Sequence, residues 1–252
     1  MLFYETFGNT SIKKPYPLVF LHGFLGSRVD WMPVITLLQK EYECIAIDLP
    51  AHGKSSHSQN IHLEVELALQ QWPNAILVGY SLGGRLSLGF GQKHPEKIKG
   101  VIALSAHPGL SSKELRDHRL QNDLAWQNRL ITLSSSDFLS LWYEQKVFAS
   151  LQKRPELLKH LLNIRAYHNP NDLASILDQA SLAKQPLYQN FQHPLSFLYG
   201  EEDISYVELY RNWPAFEKKT IPLSGHAAHL ENPFQCAEAI AFFAARYSLQ
   251  AV

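Results

Sequence analysis

The chain has 252 residues, 46% of them hydrophobic, so it is long and apolar enough to bury a large core as one domain with an insertion. Its 23 lysines and arginines balance 23 aspartates and glutamates. This balance excludes the overall basic charge of a nucleic-acid-binding protein, so local residues must meet any charge on a substrate.

The N-terminus and the cysteines bear on the compartment in which the protein works. Residues 1–5 contain no basic segment followed by an apolar core, which predicts no signal peptide. No apolar run approaches the ~18 residues that a membrane helix needs. Cys44 and Cys236 are too few for a disulfide framework and lack metal-ligand spacing, so we expect small core residues in a cytoplasmic protein without a metal.

In the first half of the chain, short apolar strands alternate with helices. The pattern predicts strands at 2–7, 18–21, 44–47, 74–78 and 100–104, and helices at 28–40, 61–71 and 82–94. These runs are typical of a parallel sheet covered by helices on both faces.

The alternation stops at about residue 111 and returns at about residue 190. Between these points Ser111 and Glu114 form a predicted capping box, and further helices are predicted at 136–148, 155–165 and 171–183. The pattern then resumes with strands at 195–199 and 218–221 and helices at 204–212 and 233–247. We therefore predict a core formed by 1–110 and 191–252, with a helical cap of 111–190 inserted in it.

The stretch Gly79-Tyr80-Ser81-Leu82-Gly83 lies between a predicted strand and a predicted helix. A serine on such a sharp turn needs small residues two positions before and after it, and the helix N-terminus beside its Oγ favours negative charge. A glycine-rich turn is the alternative for the pentapeptide alone. With its flanks, the stretch resembles the nucleophile elbow of the α/β-hydrolases. The resemblance implies an α/β-hydrolase fold: a mostly parallel central sheet flanked by helices, with an inserted helical cap.

In this fold an acid and a histidine follow the serine along the chain. Asp203 follows the strand 195–199 at the family's G-x-x-D spacing, whereas Glu201 and Glu202 are interpreted as solvated loop charges. The segment 224–233 resembles the family's G-H-x-x-H-x-E-x-P loop. There the first histidine, His226, is the base, and His229 is predicted to fix the start of the last helix.

The segment 22–27, His-Gly-Phe-Leu-Gly-Ser, resembles the H-G-F-x-G loop of the family. The segment 48–55 resembles its D-L-P-G-H-G-x-S loop, with Ala51 in place of the usual glycine. The resemblance implies an oxyanion hole formed by the backbone N–H groups of Phe24 and Leu82, with the Phe24 side chain as a wall of the site.

Three longer blocks are more specific than the elbow. They are Gly79–Arg85, then His107-Pro108-Gly109-Leu110 followed by Arg116, Arg119, Trp126 and Arg129, and the segment 141–151. From about 18 to 233 the chain resembles the 2-succinyl-6-hydroxy-2,4-cyclohexadiene-1-carboxylate synthases of menaquinone biosynthesis. The resemblance implies a lyase that eliminates pyruvate from a small tricarboxylate by triad-assisted proton abstraction, without a metal, flavin or nicotinamide cofactor.

Cationic side chains near the serine agree with an anionic substrate. Arg85 lies about one helical turn past Ser81, and Arg119 and Arg165 fall in the predicted cap. Guanidinium groups bind carboxylates bidentately and stay charged. A surface salt bridge is the alternative for each arginine. Tyr80 and Trp142 are predicted to line the pocket, with the cap core as the alternative.

Other functions use the same three residues. A carboxylesterase or a C–C bond hydrolase would need the same triad, and a haloperoxidase-type activity is a variant of that idea. A non-catalytic binding protein on this scaffold is a further alternative, although the triad residues are present in order. We expect a small-molecule substrate, no nucleic acid, no integral membrane segment, and a monomer or weak homo-oligomer.

Overall fold

A seven-stranded sheet forms the centre of the molecule in the computed structural model, which describes residues 2–8, 14–166, 168–211, 213 and 217–249. The strands are β1 (Tyr4–Phe7), β2 (Leu18–Leu21), β3 (Cys44–Ile47), β4 (Ala75–Tyr80), β5 (Ile98–Leu104), β6 (Leu195–Gly200) and β7 (Glu217–Ile221). Their order is β1-β3-β2-β4-β5-β6-β7, with β1 antiparallel to β3 and the other pairs parallel. The predicted mostly parallel sheet is confirmed.

Helices connect the strands and form the insertion. They are α1 (Met32–Leu38), α2 (Ile61–Leu69), α3 (Leu82–Lys93), α4 (Lys113–Thr132), α5 (Ser135–Tyr143), α6 (Ala149–Gln152), α7 (Pro155–Arg165), α8 (Pro170–Gln179), α9 (Ile204–Arg211), α10 (Ala228–Glu231) and α11 (Pro233–Leu249). Short 3₁₀ helices occur at Arg28–Trp31, Pro95–Lys97 and Lys146–Phe148. Among the described residues, no helix is both long and apolar enough to span a membrane.

The central strands of the sheet are buried on both faces, which is why β2, β3 and β4 are almost entirely apolar, whereas the outer strands β1 and β7 carry polar residues. Alternate residues of β2 face opposite sides: Val19 and Leu21 pack with α2, α3 and α9, whereas Leu18 and Phe20 pack with α1 and α11. Cys44 and Cys236 are buried in the second of these clusters and form no disulfide bond, so the prediction of small core residues is confirmed.

The helices α4 to α8 lie between β5 and β6 and have a hydrophobic cluster of their own. Trp126, Phe138 and Leu161 are among its buried residues, and Leu25 from the loop after β2 joins them. The insertion is therefore packed directly onto the loop in which the oxyanion hole is predicted. The domain boundaries at 110/111 and 190/191 stay a prediction.

Several predicted helices have different ends in the structure; the predicted helix 171–183, for example, is α8 (Pro170–Gln179), and in three others the backbone shows the cause. The predicted helix 28–40 divides into a 3₁₀ turn and α1, because Pro33 has no N–H to continue the ladder. The capping box at Ser111 is wrong by one residue, since the Oγ of Ser112 accepts from the backbone N–H of Leu115. The predicted helix 136–148 stops at Tyr143, because Gln145 adopts an extended ψ of 142°.

Candidate active site

Ser81 stands between β4 and α3 in a strained conformation, with φ +48° and ψ −107°. The glycines around it are required by close backbone approach. A Cβ on Gly79 would lie 2.5 Å from the carbonyl oxygen of Gly83, and a Cβ on Gly83 would lie 2.3 Å from that of Leu21. The elbow predicted from the pentapeptide is thus a turn that larger residues would distort.

Ser81, Asp203 and His226 follow β4, β6 and β7, and the structure brings all three together at the carboxyl edge of the sheet. His226 Nδ1 lies 2.8 Å from Asp203 Oδ2, and His226 Nε2 lies 3.4 Å from Ser81 Oγ. Because the carboxylate accepts the Nδ1 proton, the lone pair of Nε2 faces the serine. Asp203 and His226 are both buried. This arrangement is able to take a proton from the serine hydroxyl.

Aromatic side chains enclose the imidazole of His226. The rings of Tyr206, Tyr80 and Phe148 have centroids 5.0, 5.4 and 5.8 Å from it. Tyr206 and Phe148 were not predicted as site residues. Tyr206 lies three positions after Asp203 on α9, a helical spacing that places both on one side. That spacing is the signal that could have identified it.

The loop after β2, which carries Phe24, is held by two neutral histidines. His22 Nε2 accepts from the backbone N–H of Leu49 at 2.9 Å, and His52 Nε2 accepts from the backbone N–H of Leu25 at 3.1 Å. Burial lowers the pKa of His22 and lowers that of His52 well below its usual range, which keeps both rings able to accept.

The predicted oxyanion-hole residues are Phe24, which lies in this loop, and Leu82, which directly follows Ser81 in the elbow. Phe24 precedes Leu25, whose φ of +66° turns the chain. Leu82 is the first residue of α3, where a helix leaves its N–H groups without intrahelical acceptors. The Phe24 ring packs against Trp142 from α5, at 5.2 Å between centroids. Their role as oxyanion donors stays a prediction.

Arg85 lies on α3 and reaches the insertion. Its Nη1 donates to the carbonyl oxygen of Ala180 at 2.7 Å and to Gln185 Oε1 at 3.2 Å. Burial, with a smaller contribution from the charge of Arg119, lowers its pKa to about 10. The guanidinium is therefore still charged at neutral pH, in an environment that would favour a nearby anion.

Arg119 on α4 contributes a second positive charge to the same region. Its Nε donates to Asp123 Oδ1 at 2.8 Å, and the other oxygen of Asp123 accepts from Ser181 Oγ at 2.6 Å. Burial and then the charges of Arg85 and Arg119 lower the pKa of His107 to about 4. Arg85 and Arg119 thus place two positive charges near His107, between core and insertion.

Arg165 on α7 is placed differently from the other two arginines. It is buried, its Nη2 lies 2.8 Å from Asp30 Oδ2, and its Nη1 donates to the hydroxyl of Tyr143. Among the described residues its Nε has no hydrogen-bond partner. The surface salt bridge considered as the alternative is instead a buried ion pair between the insertion and the core. Substrate binding by Arg165 stays a prediction.

Of the predicted pocket residues, Tyr80 ends β4 in the core and Trp142 lies on α5 in the insertion. Tyr80 is buried, with its ring beside both His226 and His229. Trp142 is partly buried in the aromatic cluster of the insertion, stacked on Phe138 at 5.8 Å. The Trp142 ring also contacts Phe24, and its role in lining the pocket stays a prediction.

His229 does not cap the last helix, so that prediction is wrong. Asn232 does so, because its Oδ1 accepts from the backbone N–H of Gln235 at 3.3 Å. The His229 ring lies between Trp31 and Tyr80, at centroid distances of 4.6 and 4.3 Å. Burial lowers its pKa well below the usual range. It is a neutral packing residue beneath the site.

Comparisons with known proteins agree with this geometry. A family model described as alpha/beta hydrolase fold matches residues 16–233. The 2-succinyl-6-hydroxy-2,4-cyclohexadiene-1-carboxylate synthase of Enterobacter sp. (strain 638) is 34% identical over 251 residues, covering 93% of this chain and 94% of that protein. The protein of the same name from Yersinia pseudotuberculosis serotype O:1b (strain IP 31758) is 35% identical over 230 residues, covering 86% and 82%.

Solved structures show the same fold. MenH from S. aureus superposes with a TM-score of 0.88 at 24% identity, covering 97% of this chain and 98% of that one. A thermophilic esterase from Thermogutta terrifontis superposes with a TM-score of 0.77 at 18% identity, covering 98% and 94%. The chain belongs to the α/β-hydrolase fold family and, within it, to the family of the 2-succinyl-6-hydroxy-2,4-cyclohexadiene-1-carboxylate synthases.

Proposed function

We propose that this protein is a carbon–oxygen lyase of menaquinone biosynthesis. It eliminates pyruvate from 2-succinyl-5-enolpyruvyl-6-hydroxy-3-cyclohexene-1-carboxylate to give 2-succinyl-6-hydroxy-2,4-cyclohexadiene-1-carboxylate. The observation that carries the proposal is a pair of positive charges near the serine triad: Arg85 lies one helical turn past Ser81 on α3, and Arg119 on α4 is near enough for its charge to lower the pKa of Arg85. A polyanionic substrate needs such a pair, and kinship with the named synthases supports the same substrate.

In the first step the triad removes a proton. Ser81 Oγ takes the ring proton α to the succinyl ketone while its own proton passes to His226 Nε2, 3.4 Å away. Asp203 stabilises the resulting imidazolium through Nδ1. The electron pair of the broken C–H bond moves onto the ketone oxygen. We assign the backbone N–H groups of Phe24 and Leu82 to that enolate oxygen, where each donor contributes roughly 10²–10³ in kcat.

In the second step the enolate collapses. Its electrons restore the ketone and move the ring double bonds to positions 2 and 4, and the bond between ring carbon 5 and the enolpyruvyl oxygen breaks. Pyruvate leaves as its enolate and takes up the proton held by His226. Ser81 therefore needs no acyl transfer and no water, although the same residues would serve a hydrolase.

The arginines hold the carboxylates during these steps. Arg85 and Arg119 supply two cations in a partly buried cleft, where charge-assisted hydrogen bonds are stronger than in water. Arg165 is proposed as the third carboxylate ligand through its Nε, because Asp30 and Tyr143 already engage its terminal nitrogens. Tyr80 and Trp142 are proposed to line the apolar part of the same cleft.

A carboxylesterase or C–C bond hydrolase is the second candidate, because the triad alone would support it. A neutral acyl substrate would not need the two neighbouring positive charges of Arg85 and Arg119, whereas an anionic substrate would, and this favours the lyase. Two assays separate the candidates: pyruvate release from the enolpyruvyl substrate, coupled to lactate dehydrogenase, and hydrolysis of p-nitrophenyl acetate. The lyase predicts rapid pyruvate release with slow ester hydrolysis, and the reverse result would favour the hydrolase.

The setting of the reaction is also a proposal. Cys44 and Cys236 are buried and form no disulfide bond, which supports a reducing compartment, and we propose that the protein works in the cytoplasm as a monomer or weak homo-oligomer. Its partner is the small-molecule substrate.

A further inference from the structure

Glu231, at the end of α10, has a carboxylate that is almost completely buried beside the loop of His226. Its Oε2 accepts from the backbone N–H of Gly225 at 3.0 Å, and its Oε1 accepts from the backbone N–H of Ala227 at 3.2 Å. These two amides flank His226 directly. One side chain therefore fixes the backbone on both sides of the triad histidine.

The insertion holds the same carboxylate from the other side. Ser150 Oγ on α6 donates to Glu231 Oε2 at 2.6 Å, and Arg154 Nη1, just before α7, lies 3.0 Å from that oxygen. Arg154 also donates to the Oγ of Ser150 at 2.7 Å, so the three side chains form one network. A Cβ on Gly225 would lie 2.5 Å from that of Ser150, which shows how closely loop and insertion approach.

The chemistry of this network requires an ionised carboxylate. Four donors converge on Glu231: two backbone amides, one hydroxyl and one guanidinium. An ionised carboxylate accepts at all its lone pairs, whereas a neutral amide would present one NH₂ group to donors. The site is thus specific for Glu over Gln, and its charge is balanced by Arg154 from the insertion.

We propose that Glu231 is a positioning residue for His226, and that Ser150 and Arg154 of the insertion act on the triad through it. The distance from His226 Nε2 to Ser81 Oγ is 3.4 Å, at the outer limit of a hydrogen bond, so the position of the His226 loop affects how readily the proton transfers. A misplacement of about 1 Å costs on the order of 100-fold in rate. The proposal rests on the proposed function only in taking His226 as the base.

The test compares Glu231→Gln with Glu66→Gln as a matched control. Glu66 also bridges two elements, through Lys93 and His94, but it is a partly exposed residue of α2. We expect Glu231→Gln to lower kcat for pyruvate release about 10- to 100-fold with KM nearly unchanged. Glu66→Gln should leave both constants at the wild-type values.

Two further measurements separate positioning from folding and from the lyase reaction. The rate at which a fluorophosphonate labels Ser81 depends on the triad and not on the natural substrate, and should fall with kcat. The downfield proton resonance of His226 Nδ1–H should shift or broaden. If folded Glu231→Gln is labelled at the wild-type rate and its His226 resonance does not move, the proposal is overturned. If the wild type labels normally but releases no pyruvate, the proposed function fails while the positioning role still stands.

The contribution of the insertion is tested by Arg154→Met, which leaves Glu231 in place. It should slow fluorophosphonate labelling in the same way but less strongly. The double variant Arg154→Met/Glu231→Gln should be no slower than Glu231→Gln alone, because both changes act on one network. Losses that simply multiply would show that Arg154 does not act through Glu231.

Discussion

Two contacts join the side chains of Ser81, Asp203 and His226, and proton transfer from the serine needs both of them. A proton can move from Ser81 Oγ only if His226 Nε2 is the acceptor, and that tautomer depends on Asp203 at Nδ1. At the scale of residues, the site therefore behaves as a unit, and single substitutions in it should be non-additive.

The first prediction concerns this unit. Ser81→Ala, Asp203→Asn and His226→Ala should each lower kcat for pyruvate release by roughly 10³-fold or more, with the melting temperature little changed. His229→Ala should lower stability, because it empties the space between Trp31 and Tyr80, while kcat of the folded protein falls only mildly. If His229→Ala is inactive while His226→Ala is active, the base is His229 and not His226.

We expect substrate choice to depend on Arg85 more than on any other single residue. Losing a charge-assisted contact to a buried carboxylate costs about 2–5 kcal/mol, so Arg85→Ala should lower kcat/KM roughly 30-fold to several-thousand-fold. Arg85→Lys should restore activity only in part, because ammonium supplies charge without the planar fork.

The control for Arg85→Ala is a neutral ester assayed on the same protein. Arg85 also donates to Ala180 and Gln185, so its loss could loosen the insertion. Hydrolysis of p-nitrophenyl acetate uses only the triad and the oxyanion hole and should hardly change. Equal losses on both substrates would mean that Arg85 supports the fold and not a carboxylate.

Among the elements, α7 and the 3₁₀ helix Arg28–Trp31 are joined by the buried pair of Arg165 and Asp30. Asp30→Asn leaves the guanidinium buried beside a neutral amide and should lower the free energy of unfolding by about 3–5 kcal/mol. Denaturant unfolding would measure this. Asp178→Asn, which breaks the exposed pair with Lys184, is the control and should cost about 1 kcal/mol or less. Similar losses in both variants would contradict a structural role for the buried pair.

The features of this protein that the sequence predicts are those formed by residues close together along the chain. Strands β2 and β3 have the predicted bounds 18–21 and 44–47, since a fully buried strand is a continuous apolar run. The elbow at Ser81 and the triad order are likewise local patterns. Their juxtaposition follows from the parallel sheet, whose carboxyl edge gathers the ends of β4, β6 and β7.

The features that the sequence did not predict are contacts between residues far apart along the chain, and a choice between two adjacent serines. Asp30 and Arg165 are 135 positions apart, and no local pattern connects them. Ser111 and Ser112 are adjacent and chemically identical, so only the backbone geometry decides which one caps α4. Glu231 belongs to the quoted loop motif, yet its partners in α6 and before α7 become apparent only when the insertion is folded.

For the whole molecule, buried histidines make stability depend on pH. His22, His52 and His229 are buried and their folded-state pKa values lie below the ordinary value of about 6.5, so below that pH the unfolded chain binds more protons. Stability must therefore rise with pH through this window and fall on acidification, by up to about 1.4 kcal/mol per pH unit for each histidine.

Thermal unfolding between pH 7.5 and 5.5 checks this dependence. We expect the melting temperature to fall steadily below about pH 6.5 and to change little above pH 7.5. His52→Gln, whose Oε1 can accept from Leu25 without titrating, should make the fall shallower. A melting temperature that is flat or rises on acidification would contradict the account of neutral buried histidines.

The central claim is that a serine triad here performs elimination and not hydrolysis. The most direct measurement is mass analysis of the products formed from the enolpyruvyl substrate by the wild-type protein, with Ser81→Ala as the blank. The account predicts equimolar pyruvate and cyclohexadiene product, with no ring product in the blank beyond the uncatalysed background. A ring product heavier by one water, bearing a hydroxyl where the enolpyruvyl group was attached, would show hydrolysis and contradict it.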